Sequence, residues 1–147
     1  MIFLAADHRG FELKEKIKEW LKEWKHEYED MGAFELDPND DYPVYAKKVA
    51  ESIVEPKDKG ILVCGSGVGV DEVANKFDGI RSGLAINKEQ IRSARNDDDI
   101  NVLALAADYV FEVEAKEIVK TFLDTEFANE ERQNRRLREV EDIEKVN

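Results

Sequence analysis

The sequence predicts an α/β protein: a parallel sheet covered by helices on both faces, followed by a charged helical tail. Two observations carry this. Short apolar runs alternate five times with segments of helical periodicity, the order that builds parallel sheets through right-handed crossovers. In addition, no repeat, low-complexity block or linker rich in Pro, Gly and Ser divides the 147 residues. Residues 1–147 therefore fit one domain with a core of its own.

Each element has its own signal. Residues 2–7 (IFLAAD) read as a first strand ending in polar residues, and 11–24 as a helix through Leu13, Ile17, Trp20, Leu21 and Trp24. Residues 28–31 give a weak second strand. The connection 34–43 (FELDPNDDYP) has the turn chemistry of Asp-Pro and Asn-Asp. A helix over 45–54 follows, with Val49, Ala50 and Ile53 on one face. Residues 60–64 (GILVC) are continuously apolar, as befits a strand buried on both faces. Then come a short helix at 70–77, a fourth strand at 80–86, a helix at 88–95 and a fifth strand at 101–106. A helix at 112–123 and a helical tail over 128–147 close the chain.

In open parallel sheets ligands bind beyond the carboxyl ends of the strands. That rule singles out Asp7 to Gly10, Cys64 to Gly69, Asn87 onward, and Ala107-Asp108.

Composition narrows the function classes. A net charge of -12 argues against nucleic-acid binding, which needs a cationic footprint. An anionic substrate would need a local concentration of arginines or backbone N–H groups. No apolar run approaches the roughly 18 residues of a membrane span. The start, MIFLAADHRG, lacks the basic and long apolar regions of a secretory signal. One cysteine excludes an intrachain disulfide framework and fits a reducing cytoplasm.

The stretch ILVCGSGVGVDEVANK sets that cysteine before a glycine-rich turn. A dinucleotide fingerprint needs G-x-G-x-x-G, but the sixth position is Val70 counted from Gly65 and Glu72 counted from Gly67. A P-loop needs Lys-Ser/Thr after its last glycine, and none follows. What remains is a strand-to-helix turn whose free N–H groups suit an anion or a developing oxyanion. Beside a positive helix end a thiol is favoured as thiolate. Cys64 is thus either a reactive group or a small buried hydrophobe.

Asp7-His8, at the end of the first strand and before Gly10, reads as a site pair. His26 lies in a charged connection and reads as solvated. Asp41-Tyr42-Pro43 reads as a turn and helix start. The three aspartates of RNDDDIN read as a solvated loop, because consecutive residues rarely converge on one ion and calcium-loop spacing is absent. No metal is expected. Arg132 and Arg136, one helical turn apart, form either a phosphate clamp or part of a salt-bridged helix with Glu131–Arg135, Arg135–Glu139 and Arg138–Asp142.

Together these segments resemble the ribose-5-phosphate isomerase B and galactose-6-phosphate isomerase family. The likeness runs in order through AADHRGFELKEKIKEWL, DDYPVYAKKVA, GILVCGSGVGVDEVANKFDGIRSGLA, NVLALAADYV and TEFANEERQNRRL. It implies a Rossmann-like three-layer α/β sandwich and a homodimer or homotetramer with active sites shared between subunits. The tail would pack on a partner subunit. It also implies no metal or organic cofactor, and aldose–ketose isomerisation of a small sugar phosphate through an enediolate, with ribose 5-phosphate the best substrate. Alternatives on the same scaffold are an isomerase of another sugar or sugar phosphate, and a non-catalytic sugar-phosphate-binding protein.

By matching position, the resemblance makes Cys64 the proton-transferring base. Ser66, where the family usually has Thr, would hold the enediolate oxygens with the N–H groups of Gly65, Gly67, Val68, Gly69 and Val70. Asp7 and Tyr42 would contact sugar hydroxyls, His8 would lie toward the phosphate, and Arg132 and Arg136 would bind it. Where the family commonly reads R-x-H-N-D-x-N, this chain places Asp97 at the ring-opening histidine and Asp98 at an asparagine that can donate to the enediolate. Asp108 replaces an arginine that often reaches the phosphate across the interface, and Gln133 a histidine beside the tail arginines. Arg9, in the first loop, is the residue placed to restore a cation.

Overall fold

A computed structural model describes Met1–Asn147 and bears out the α/β sandwich. The strands are β1 (Ile2–Ala6), β2 (Tyr28–Asp30), β3 (Lys59–Cys64), β4 (Ser82–Leu84) and β5 (Val102–Ala106). The helices are α1 (Phe11–Glu23), α2 (Tyr42–Ser52), α3 (Val68–Ala74), α4 (Lys88–Asp98), α5 (Glu112–Asp124) and α6 (Glu131–Glu144). All five strands are parallel, in the order β2-β1-β3-β5-β4. No helix is long and apolar enough to cross a membrane.

Strand alternation divides the core into two layers. Ile2, Leu4 and Ala6 of β1, Ile61 and Val63 of β3, and Leu103 and Leu105 of β5 face a cluster with Ile17, Leu21, Ile91, Ile118 and Phe122 of α1, α4 and α5. Their neighbours Phe3, Ala5, Leu62, Cys64, Val102 and Ala104 face Ala46, Val49, Val70 and Ala74 of α2 and α3. Burial on both faces explains the unbroken apolar runs of the three inner strands. The chain leaves β1 for one side of the sheet and β3 for the other, so the topological switch lies between their carboxyl ends.

Several boundaries differ from the sequence expectation, and four of them have a clear local reason. Helix α2 begins at Tyr42, three residues earlier than expected, because Pro43 in its first turn needs no amide partner. Helix α3 begins at Val68 because Gly67, at φ 74°, turns the chain directly into it. Strand β4 shrinks to Ser82–Leu84, since the Arg81 and Ser82 amides donate to the side chains of Asn101 and Asn75. Helix α4 runs on to Asp98 because the Arg95 side chain is buried, donating to the carbonyl of Ile100 at 2.6 Å.

The edge strand β2 is fixed by charge. Lys14 of α1 is fully buried, and its Nζ donates to Asp30 Oδ2 at 2.7 Å and Glu15 Oε1 at 3.0 Å. Burial alone would lift the Asp30 carboxyl. Lys14 and Lys18 outweigh it and hold that carboxyl below its ordinary value.

Candidate active site

The two loops at the switch point carry the chemistry-bearing residues. After β1 the chain turns into α1 around Asp7, whose Oδ1 accepts from the amides of Arg9 and Gly10, both at 3.0 Å. Asp7 is only 4% exposed. Burial therefore pushes its carboxyl above the ordinary value, although the Gly10 and Arg9 amides and His8 oppose the shift. Gly10 lies against the Val63 carbonyl with no room for a Cβ, which brings the β1 loop onto the tip of β3.

His8 is held by Asp40, which lies in the connection between β2 and α2. Asp40 Oδ1 accepts from the His8 amide at 2.9 Å and meets its Nδ1 at 2.7 Å. That contact fixes the ring and leaves Nε2 as its free nitrogen. Burial, followed by the Asp40 carboxylate, raises the neighbouring Tyr45 phenol. Asp7, His8 and Asp40 offer three ligand atoms within 4.8 Å of one another. Two of those atoms are already partnered with each other and the third takes two amides, while the second Asp40 oxygen, Oδ2, is buried without a hydrogen-bond partner.

Cys64 ends β3 on the α2–α3 side of the sheet, 4% exposed. The turn after it is built around its sulfur: the Gly67 amide donates to Sγ at 3.1 Å, and the Val68 amide to Ser66 Oγ at 3.3 Å. Those two amides are therefore already engaged within the turn. The amides of Ser66, Gly69 and Val70 have no acceptor within the chain. Gly69 lies under the Tyr42 ring, where a Cβ would come within 2.7 Å of two ring carbons. Beside the turn, the Ala107 amide donates to the Cys64 carbonyl at 2.9 Å and the Asp108 amide to the Gly65 carbonyl at 3.0 Å.

The fold thus brings together Asp7, His8, Arg9, Tyr42, Cys64, Gly65, Ser66, Gly67, Val68 and Gly69. It places the other sequence-derived candidates elsewhere in the same chain. Asp97 and Asp98 end α4 next to the start of β5, at the amino end of the strands and so at the opposite end from Cys64. Their neighbour Asp99 is structural, pairing with Arg95 at 2.7 Å and Arg81 at 3.0 Å. Arg132 and Arg136 project, exposed, from α6, which packs on α4. Gln133 between them is buried. Asp108 forms an ion pair with Arg9. Sequence reasoning missed Asp40, because its partner His8 lies 32 residues away and the NDDYP turn marks no single aspartate.

A family model described as Ribose/Galactose Isomerase matches residues 2–140. The protein named probable ribose-5-phosphate isomerase B in Mycoplasma pneumoniae is 41% identical over 127 residues, covering 86% of this chain and 84% of that protein. The solved ribose-5-phosphate isomerase B of Mycoplasma genitalium, with bound ribulose-5-phosphate, matches with a TM-score of 0.90 at 38% identity, covering 99% of this chain and 97% of that one. The Clostridium thermocellum ribose-5-phosphate isomerase B matches with a TM-score of 0.94 at 36% identity over the same shares. With a family match across nearly its whole length and a shared fold, this chain belongs to the ribose/galactose isomerase family and is an aldose–ketose isomerase of the ribose-5-phosphate isomerase B type.

Proposed function

We propose that the chain interconverts ribose 5-phosphate and ribulose 5-phosphate, with Cys64 as the base. The observation that carries this reading is the Gly67 amide on the Cys64 sulfur at 3.1 Å, a donor aimed at the atom that would carry negative charge. The bound product in the Mycoplasma genitalium relative supports the choice of sugar.

In the open-chain aldose, Cys64 removes the proton from carbon 2, next to the carbonyl. The resulting enediolate is held by the Ser66 hydroxyl and the free amides of Ser66, Gly69 and Val70, the hydroxyl proton passes from O2 to O1, and Cys64 returns its proton to carbon 1. Asp7 and Tyr42 contact sugar hydroxyls, and His8, fixed by Asp40, faces the phosphate. Asp97, Asp98, Arg132 and Arg136 act from a second copy of the chain. There Asp97 accepts the anomeric hydroxyl proton as the bond between carbon 1 and the ring oxygen breaks, the ring oxygen takes a proton from water, and the arginines bind phosphate.

The test is solvent-deuterium exchange at carbon 2 of ribose 5-phosphate, followed alongside isomerisation, for wild type and Cys64→Ala. Both activities should be present in wild type and lost in the variant. Turnover of another aldose with ribose 5-phosphate untouched would overturn the substrate, and tight binding without exchange would overturn the chemistry.

A further inference from the structure

Arg9 and Asp108 lie 99 residues apart in the chain and meet over the first residue of the cysteine turn. Arg9 Nη2 donates to Asp108 Oδ2, and together the two side chains fill the space a Gly65 side chain would need. A Cβ there would lie 2.5 Å from Arg9 Nε, 2.6 Å from Arg9 Cζ and 2.8 Å from Asp108 Oδ2. Both partners are also fixed through their backbones. The Asp108 amide donates to the Gly65 carbonyl at 3.0 Å, and the Arg9 amide to Asp7 Oδ1 at 3.0 Å. The pair therefore joins the loops that follow β1, β3 and β5.

Stability is not a sufficient reason for this arrangement. The side chains are 58% and 36% exposed, and ion pairs so open to water contribute little. Charge placement is a better one. In the segments 7–10, 39–42, 64–70 and 106–110, which carry Asp7, Asp40, Asp41 and Asp108, Arg9 is the one guanidinium or ammonium. On a chain of net charge -12, the one other permanent cation lining the pocket that holds Arg9 and Asp108 is Lys16 of α1, which shares it with Glu12 and Glu112. A guanidinium has five N–H donors. Asp108 engages one nitrogen and Gly65 lies against another, leaving the remaining donors to a ligand.

Resting on the isomerase reading above, we infer that Asp108 is a positioning residue: it holds Arg9 against the Cys64 turn as the arm that receives the substrate's anionic group. The pair then determines preference for a phosphorylated sugar over a free one.

A double-mutant cycle tests this with Arg9→Ala, Asp108→Ala and the double variant, plus Asp108→Glu as a conservative rescue. Each single alanine variant should raise KM for ribose 5-phosphate about ten- to hundredfold with kcat within about twofold, the size of one charge-assisted hydrogen bond. The double variant should be no worse than Arg9→Ala alone, and Asp108→Glu should recover most of the loss. An unchanged or lowered KM in Asp108→Ala, or single losses that multiply in the double variant, would overturn the inference. The same cycle is read a second time by calorimetric binding of inorganic phosphate, which requires no turnover. Wild type inactive on ribose 5-phosphate but binding phosphate in an Arg9- and Asp108-dependent way defeats the substrate assignment and keeps the inference. Phosphate binding indifferent to both residues defeats the inference.

Discussion

The backbone amide of Gly67 points at the sulfur of Cys64, three residues earlier in the chain, across 3.1 Å. A strand tip and a left-handed glycine thus cooperate to place a hydrogen-bond donor on the one thiol. Replacing Cys64 by Ala should lower kcat by about 10²–10⁴-fold, the usual contribution of a positioned acid–base group, with little change in KM. Steady-state kinetics checks this. A melting temperature near wild type separates lost chemistry from lost fold.

Gly67 cannot be exchanged so cheaply. Its φ is 74°, and an added Cβ would press on the Leu84 side chain and come within 3.0 Å of the Leu105 backbone. Gly67→Ala should cost at least about 2 kcal/mol through backbone strain and overpacking. Chemical denaturation reads this as a lower midpoint with an unchanged slope.

Asp7 sets function against stability. Burial raises its folded-state carboxyl above the unfolded value, so the folded state holds its proton more tightly. Stability from this group is therefore greatest at low pH and falls as pH rises through the raised value. Asp7→Asn keeps an Oδ1 to accept the Arg9 and Gly10 amides and carries no charge. At pH 7 it should melt at or above the wild-type temperature, with the difference shrinking as pH falls toward 4, about the ordinary carboxylate range. Its activity should fall nonetheless. Melting curves across that range, with assays alongside, decide the matter.

The proposed sharing of sites between subunits has its own signature. Cys64 ends the central strand at the carboxyl end of the sheet, whereas Arg136 extends from α6, which packs on α4. Cys64→Ala and Arg136→Ala should each be weak alone. Unfolded together and reassembled as dimers, they should recover about a quarter of wild-type activity, since half the dimers are mixed and each has one intact site of two. No recovery in verified mixed dimers would place Arg136 and Cys64 in the same chain's site, or Arg136 in none.

The sequence made the layer order plain because its signals are local: apolar runs for the inner strands, helical periodicity for the covering helices, Pro43 and Gly67 at helix starts. The cysteine turn was legible for the same reason, since Cys64, Ser66 and Gly67 are neighbours. Asp40 and the role of Asp108 were not. Each acts on a residue 32 or 99 positions away, a pairing set by sheet order rather than by spacing. The placement of Asp97 and Asp98 opposite Cys64 was hidden as well, because only the direction of α4 reveals it.

The lateral stitching of the three inner loops has a dynamic consequence. The amides of Ala107 and Asp108 lie beyond the end of β5, yet both donate to the backbone of Cys64 and Gly65. A connecting segment ordinarily opens on its own, ahead of the core. Here opening must separate β5 from β3 at their ends and release Arg9 as well. Hydrogen–deuterium exchange at these two positions should therefore be nearly as slow as in the central strands, making the mouth around Cys64 part of the most cooperative unit of the fold.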